Sequence, residues 1–146
     1  MAAEKSYAHR DVLDKLGIAE GMRVRIVGAI PDELLPRLRE RAGDGLVGDD
    51  DSEPVNVILY RVEDAGIRAA FARLRQAITP EGAIWALTPK RGQPGYIQQE
   101  RLIPLGKAAG LVDNKSCSVD AVTSAIRFVI PLAQRTPRKP AAGDWY

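Results

Sequence analysis

The run VNVILYRV at residues 55–62 is apolar on both faces of an extended chain. A strand of that kind needs cover above and below, which a parallel sheet between helical layers supplies. The neighbouring segments carry matching signals. MRVRIVGA at 22–29 reads as a strand; its first half alternates arginine with Val24 and Ile26, so it is expected to start near an edge or rim of the sheet. Pro31 then stands where the first helical position is expected. Leu34, Leu35 and Leu38 give that helix its buried stripe, Pro36 falls in or near its first turn, and Gly43 stops it. Residues 65–78 make a second amphipathic pattern through Ile67, Phe71, Leu74 and Ile78. TPEG is expected to end it, and GAIWALTP to begin the next strand.

The rest of the chain extends this alternation. AHRDVLDKLG reads as a short helix with Val12, Leu13 and Leu16 on one face, Gly17 as a left-handed stop and Ile18 folded back over the last turn. Leu46 and Val47 suggest a very short strand ahead of an acidic loop. KRGQPG is a loop. A helix follows from about Ile97, with Pro104 expected to break or kink it, so that the regular part starts only there. LVDNKSCSV and TSAIRFVIPL are two strands joined by a tight connection at 120–123, so the last is expected to run antiparallel. Strands alternating with helices predict an α/β fold of three layers, its mixed sheet mostly parallel with an antiparallel C-terminal strand. One domain is expected over residues 7–133. Residues 1–6 read as a flexible N-terminus, and 134–146 as a flexible, basic, proline-rich tail.

Composition narrows the function classes. A chain of 146 residues has length enough for one domain, burying ~70% of its unfolded surface. A formal charge of +2 gives no argument for nucleic acid or an anionic membrane. The single cysteine, Cys117, excludes an internal disulfide framework. With no signal-like or membrane-spanning run, the expected location is the cytoplasm.

HRDVLDKLGI, MRVRIVGA, VNVILYRV, EGAIWALTPK and above all GLVDNKSCSVDAVTSAIRFV resemble a bacterial family known as domain of unknown function 3052. These segments span roughly residues 7–130. The element order is also similar to the core of class I S-adenosylmethionine-dependent methyltransferases, with parallel strands closed by a hairpin that carries one antiparallel strand. The resemblance implies a Rossmann-like, methyltransferase-like fold. It names no activity, and it makes S-adenosylmethionine the cofactor to test.

Methyltransferases typically end the first strand with an acid followed by glycines at alternate positions. Aligning Gly28 with the first glycine puts Ile26 at the acidic position, Ile30 at the second glycine and Asp32 at the third. Those glycines admit positive φ and let backbone approach a ligand, so a branched Ile30 is expected to obstruct it. Pro31 removes a donor from the helix start, and Asp32 and Glu33 would repel a phosphate there. As a counterweight, Asp49, Asp50 and Asp51 lie about twenty residues beyond Gly28, where Rossmann-like sites carry the acid that bonds ribose hydroxyls. The candidate cofactor residues are therefore Gly28, Asp32, Asp49 and Asp50, against the plainer reading of a lone strand-end glycine and a solvated acidic loop.

Ligands of open parallel sheets bind beyond the carboxyl ends of the strands. That rim is expected to hold Arg61 with Glu63 and Asp64, residues 88–91, and the closing hairpin turn. The candidate ligand residues are Arg61, Lys90, Asp120 and Ser124; basic Arg61, Lys90 and Arg91 with acidic Asp32, Asp49 and Asp120 are expected to make a polar cleft for a zwitterionic or anionic molecule. His9 has no imidazole or thiol partner nearby in sequence. Cys117 reads as an inert core thiol, Trp85 as packing under a helix, and Arg127 as facing away from Ile126 and Phe128. No metal motif or catalytic triad signature occurs. The leading expectation is a non-catalytic methyltransferase-like module that binds a small ligand, a protein or a second copy of itself. The rival is a compact S-adenosylmethionine-dependent methyltransferase. Nucleic-acid binding through Lys90, Arg91 and the tail is the distant third.

Overall fold

Where the sequence is most continuously apolar, the sheet has its centre. Strands β3 (Val55–Arg61) and β4 (Ile78–Pro89) lie side by side and parallel, in register from Val57 opposite Ala83 to Arg61 opposite Leu87. The computed structural model describes residues 11–48, 52–63 and 65–135. The expectations for His9, for residues 49–51, for Asp64 and for the tail from residue 136 lie outside them. Strand β1 (Val24–Val27) pairs parallel with β3, and the two-residue β2 (Leu46–Val47) pairs parallel with β1. On the other side, β6 (Thr123–Val129) runs antiparallel to both β4 and β5 (Val112–Ser118). The order is β2-β1-β3-β4-β6-β5, a mixed sheet with its antiparallel strand inserted near the C-terminal side.

Among the described residues, two helices cover each face. Helices α1 (Val12–Lys15) and α2 (Leu34–Ala42) pack with Val24, Val57, Leu59, Trp85 and Leu87. Helices α3 (Ile67–Arg75) and α4 (Gln99–Ala108) pack with Ile58, Tyr60, Ile84 and Phe128. Four residues do not make a stable helix alone, so α1 depends on its ends and its burial. Asp11 caps it by accepting a hydrogen bond from Leu13 N–H at 2.8 Å. Gly17 ends it at φ 70°, and Ile18 N–H donates to the Leu13 carbonyl at 2.9 Å. Leu13, Leu16 and Ile18 are buried, each such side chain stabilising the fold by about 1.5–3 kcal/mol. Asp11 also pairs with Arg37 and Arg41 of α2, and Arg41 reaches Asp14 at 2.7 Å. Partial burial opposes ionisation of Asp11. The Leu13 N–H, the Arg37 hydrogen bond and the charges of Arg37 and Arg41 outweigh it and hold its carboxyl below the usual value.

Three boundaries and the burial of one arginine differ from expectation. Ile78 begins β4 instead of closing α3, because Ala77 accepts a bond from Val55 N–H at 2.9 Å and turns the chain into the sheet. TPEG consequently lies inside the strand, as a register shift opposite Val55 and Val57. Gly82 makes this fit: a β-carbon there would stand 2.9 Å from the Asn56 carbonyl oxygen. Helix α2 starts at Leu34, not at Pro31, because Leu34 N–H donates back to the Pro31 carbonyl at 3.0 Å and makes 31–33 a turn. Pro104 sits inside α4, which runs regularly from Gln99; the bond it forgoes, to the Glu100 carbonyl, falls in the exposed first turn. Arg25, finally, is buried one strand in from the edge, with Nη2 3.4 Å from the Glu53 carbonyl. The strand does lie near an edge, beside β2, but the long Arg25 side chain reaches the strand-start loop.

Gly106 sets how closely α4 approaches the sheet. A β-carbon at that position would lie 2.4 Å and 2.7 Å from two ring atoms of Phe128. The Phe128 ring packs in turn against Phe71, with centroids 4.7 Å apart and the planes tilted by 50°.

Candidate functional site

The chain leaves β1 through α2 on one face and leaves β3 through α3 on the other. The carboxyl ends of β1 and β3 therefore flank the point where the winding reverses, the place where such sheets hold ligands. Gly28 follows β1 at φ 91°. The space beside it is taken: a β-carbon on Gly28 would meet the Arg61 Cβ at 2.9 Å. From the end of β3, Arg61 crosses this crevice and its Nε donates to the Ala29 carbonyl at 3.2 Å. The positive φ and the missing β-carbon thus serve the approach of a neighbouring strand. Ile30 packs against the α1–α2 core cluster, as does Ile26. The obstruction expected from Ile30 is therefore supplied by Arg61. Asp32 is exposed in the turn before α2, and Asp49 and Asp50 lie outside the described residues.

Lys90 and Ser124 come together farther along the rim. A cleft of about 300 Å³ opens between the ends of β4 and β6 and the start of α4. Thr88 and Ser124 face each other directly across the antiparallel pair and share its floor with Ile126. Ile97 and Tyr96 form a wall; Lys90, Arg91 and Glu100 stand at the edge. The Arg91 guanidinium lies over the Tyr96 ring, 5.8 Å from its centroid. Lys90 is tied in by its N–H to the Val122 carbonyl at 2.8 Å and by Nζ to Ser118 Oγ at 2.7 Å. Asp120 is elsewhere. It closes the hairpin turn by accepting from Val122 N–H at 2.9 Å, and borders a smaller cleft with Pro31 and Arg37. The four ligand candidates thus divide among three places instead of forming one cleft.

The plainer readings are met at the other positions. Trp85 is fully buried, with Nε1 donating to the Leu16 carbonyl at 2.9 Å. Burial pushes the Cys117 thiol up, against the opposing charges of Lys15 and Lys115, which suits an unreactive thiol. Arg127 donates to the Asn114 side chain at 3.3 Å. Among the described residues no group of histidine, cysteine and carboxylate side chains is placed to hold a metal, and no helix is long and apolar enough to cross a membrane. Tyr96, Gln99 and Glu100 were not legible as site residues, because Tyr96 lies in a loop of turn signals without periodicity and Gln99 and Glu100 only open the helix that follows.

A family model described as "Protein of unknown function (DUF3052)" matches residues 13–131. The chain belongs to that family. Uncharacterised proteins of Mycobacterium tuberculosis and Mycobacterium bovis are each 30% identical over 130 residues, covering 85% of this chain and 81% of theirs. Among solved structures, the family member is similar to methyltransferases. A S-adenosylmethionine-dependent methyltransferase from Aquifex aeolicus superimposes with TM-score 0.59 at 13% identity, over 82% of this chain and 88% of that one. A TehB-like enzyme from Corynebacterium glutamicum gives 0.54 at 12% identity, over 88% and 93%. An O-methyltransferase of neocarzinostatin biosynthesis, solved with S-adenosyl-L-homocysteine, gives 0.58 at 13% identity; the chain spans 49% of its length. At such identities the likeness establishes a Rossmann-like, methyltransferase-like fold.

The described residues do not fit S-adenosylmethionine at the winding reversal. A branched side chain stands where the strand-end acid belongs, and a strand neighbour fills the space beside the glycine.

Proposed function

We propose that this member of the DUF3052 family is a cytoplasmic binding module on a methyltransferase scaffold, whose ligand site has moved from the winding reversal to the cleft beyond β4 and β6. One observation carries the reading: Arg61 occupies the crevice beside Gly28 and is bonded to the Ala29 carbonyl. A cofactor entering there must displace that bond and the Arg61 stem, with no compensating carboxylate at Ile26. The cleft at Lys90 and Ser124 has the size at the lower end of small-molecule sites, roughly 300–1,000 Å³. Its lining sets the Thr88 and Ser124 hydroxyls and the charges of Lys90, Arg91 and Glu100 beside apolar Ile97 and Ile126, polar groups that can orient a ligand against an apolar surface.

Titration calorimetry with S-adenosylmethionine and S-adenosylhomocysteine tests this. The expected result is no saturable heat with either compound. Micromolar binding that is lost in Gly28→Val would overturn the proposal and make the chain a methyltransferase candidate.

A further inference from the structure

The cleft beyond β4 and β6 carries chemistry that narrows its ligand, and this inference rests on the proposed displacement of the site. Thr88 is only 5% exposed. It lines the cleft beside Ser124, its direct cross-strand neighbour. Paired hydroxyls on a sheet floor can both donate to one acceptor group. The first N–H groups of α4 have no intrahelical partner, and its first residues, Gln99 and Glu100, line the same cleft.

Charge then selects among acceptors. Lys90 and Arg91 stand against Glu100, leaving one net positive charge for the ligand to balance. Glu100 opposes a second negative charge at short range. Ile97 and Ile126 are buried apolar surfaces beside the hydroxyls, and Tyr96 adds a ring face already held by Arg91. We infer that the cleft takes a small monocarboxylate with an apolar, flat body: the carboxylate meets Thr88, Ser124 and Arg91, and the body lies against Ile97, Ile126 and Tyr96.

The probe is benzoate, titrated into the full chain labelled with nitrogen-15 and followed by amide chemical shifts, with benzyl alcohol and phenyl phosphate in parallel. Benzoate is expected to move the amides of residues 88–91, 96–100 and 124–126 along a saturable curve. Benzyl alcohol should bind about tenfold more weakly, since it loses bonds to a charged acceptor, and phenyl phosphate should also bind more weakly than benzoate. Thr88→Val and Arg91→Ala should each weaken benzoate several-fold, whereas Thr88→Ser retains binding and controls for folding. Absence of benzoate shifts overturns the inference. So does equal binding of benzyl alcohol, tighter binding of phenyl phosphate, or indifference to both weakening substitutions. S-adenosylmethionine added to the same sample would move residues 28–30 instead, so failure of the displaced-site reading has its own signature.

Discussion

Gly106→Ala tests how the cleft wall is held. The new β-carbon would stand 2.4 Å from one ring atom of Phe128 and 2.7 Å from another. Phe128 is fully buried and packed at a tilt against Phe71, so the ring cannot swing away freely. Either it or α4 must shift by about 1 Å to restore ordinary contact, and overpacking of that kind costs about 1–3 kcal/mol. Alanine returns at most about 1 kcal/mol of helix propensity over glycine. With two ring atoms inside contact distance, the upper part of the cost range applies, and the net effect is about 2 kcal/mol of destabilisation. In a chain of this size that lowers Tm by roughly 4–8 °C. Urea unfolding of the wild type, Gly106→Ala, Phe128→Leu and the double variant measures it as a cycle. The smaller leucine vacates space, so the double variant should lose less than the two single changes together, a coupling of at least about 1 kcal/mol. Strict additivity, or a stability gain in Gly106→Ala alone, would refute the packing argument. Because the start of α4 forms one side of the cleft, Gly106→Ala should also alter the amide shifts of Gln99 and Glu100.

Trp85→Phe leaves the Leu16 carbonyl without its 2.9 Å donor and should cost about 1–3 kcal/mol, read by thermal unfolding, with loss of the α1 amide protection as its local signature in hydrogen exchange. Asp11 has a folded-state pKa below its unfolded one, so its contribution is complete above the unfolded value and disappears as pH falls through the folded value. Asp11→Asn should therefore flatten the acid limb of the stability–pH curve, and an unchanged limb would discount the Arg37 and Arg41 pairing.

What could be read in the sequence was whatever depends on local pattern. The double-faced apolarity of 55–62 implied a central strand, the Gly17–Ile18 pair implied a helix stop, and the spacing of the last two runs implied a hairpin. Each depends on residues close together in the chain. The misplaced boundaries arise where one residue satisfies two patterns: Ile78 completes a helical stripe and also begins a strand, and only its pairing with Val55 decides. Pro104 does not break its helix, because a helix start exposed to water tolerates a lost bond that an interior position would not. At the site, Gly28 marks a turn in the sequence, but the group beside it, Arg61, is brought there by strand pairing, which no local pattern encodes. Lys90 and Ser124 converge through the β4–β6 register for the same reason, and Asp120 leaves them because its carboxylate closes its own turn.

The place of β6 between β4 and β5 constrains how the molecule can be made. During synthesis β5 emerges first, yet it has no partner until residues 123–129 follow and wedge in beside β4. Until then the most apolar strand of the chain shows a bare hydrogen-bonding margin, open to pairing with another nascent chain. A product cut short before residue 123 would keep its helices and four parallel strands but carry that margin permanently, and its fate would be clumping instead of partial function.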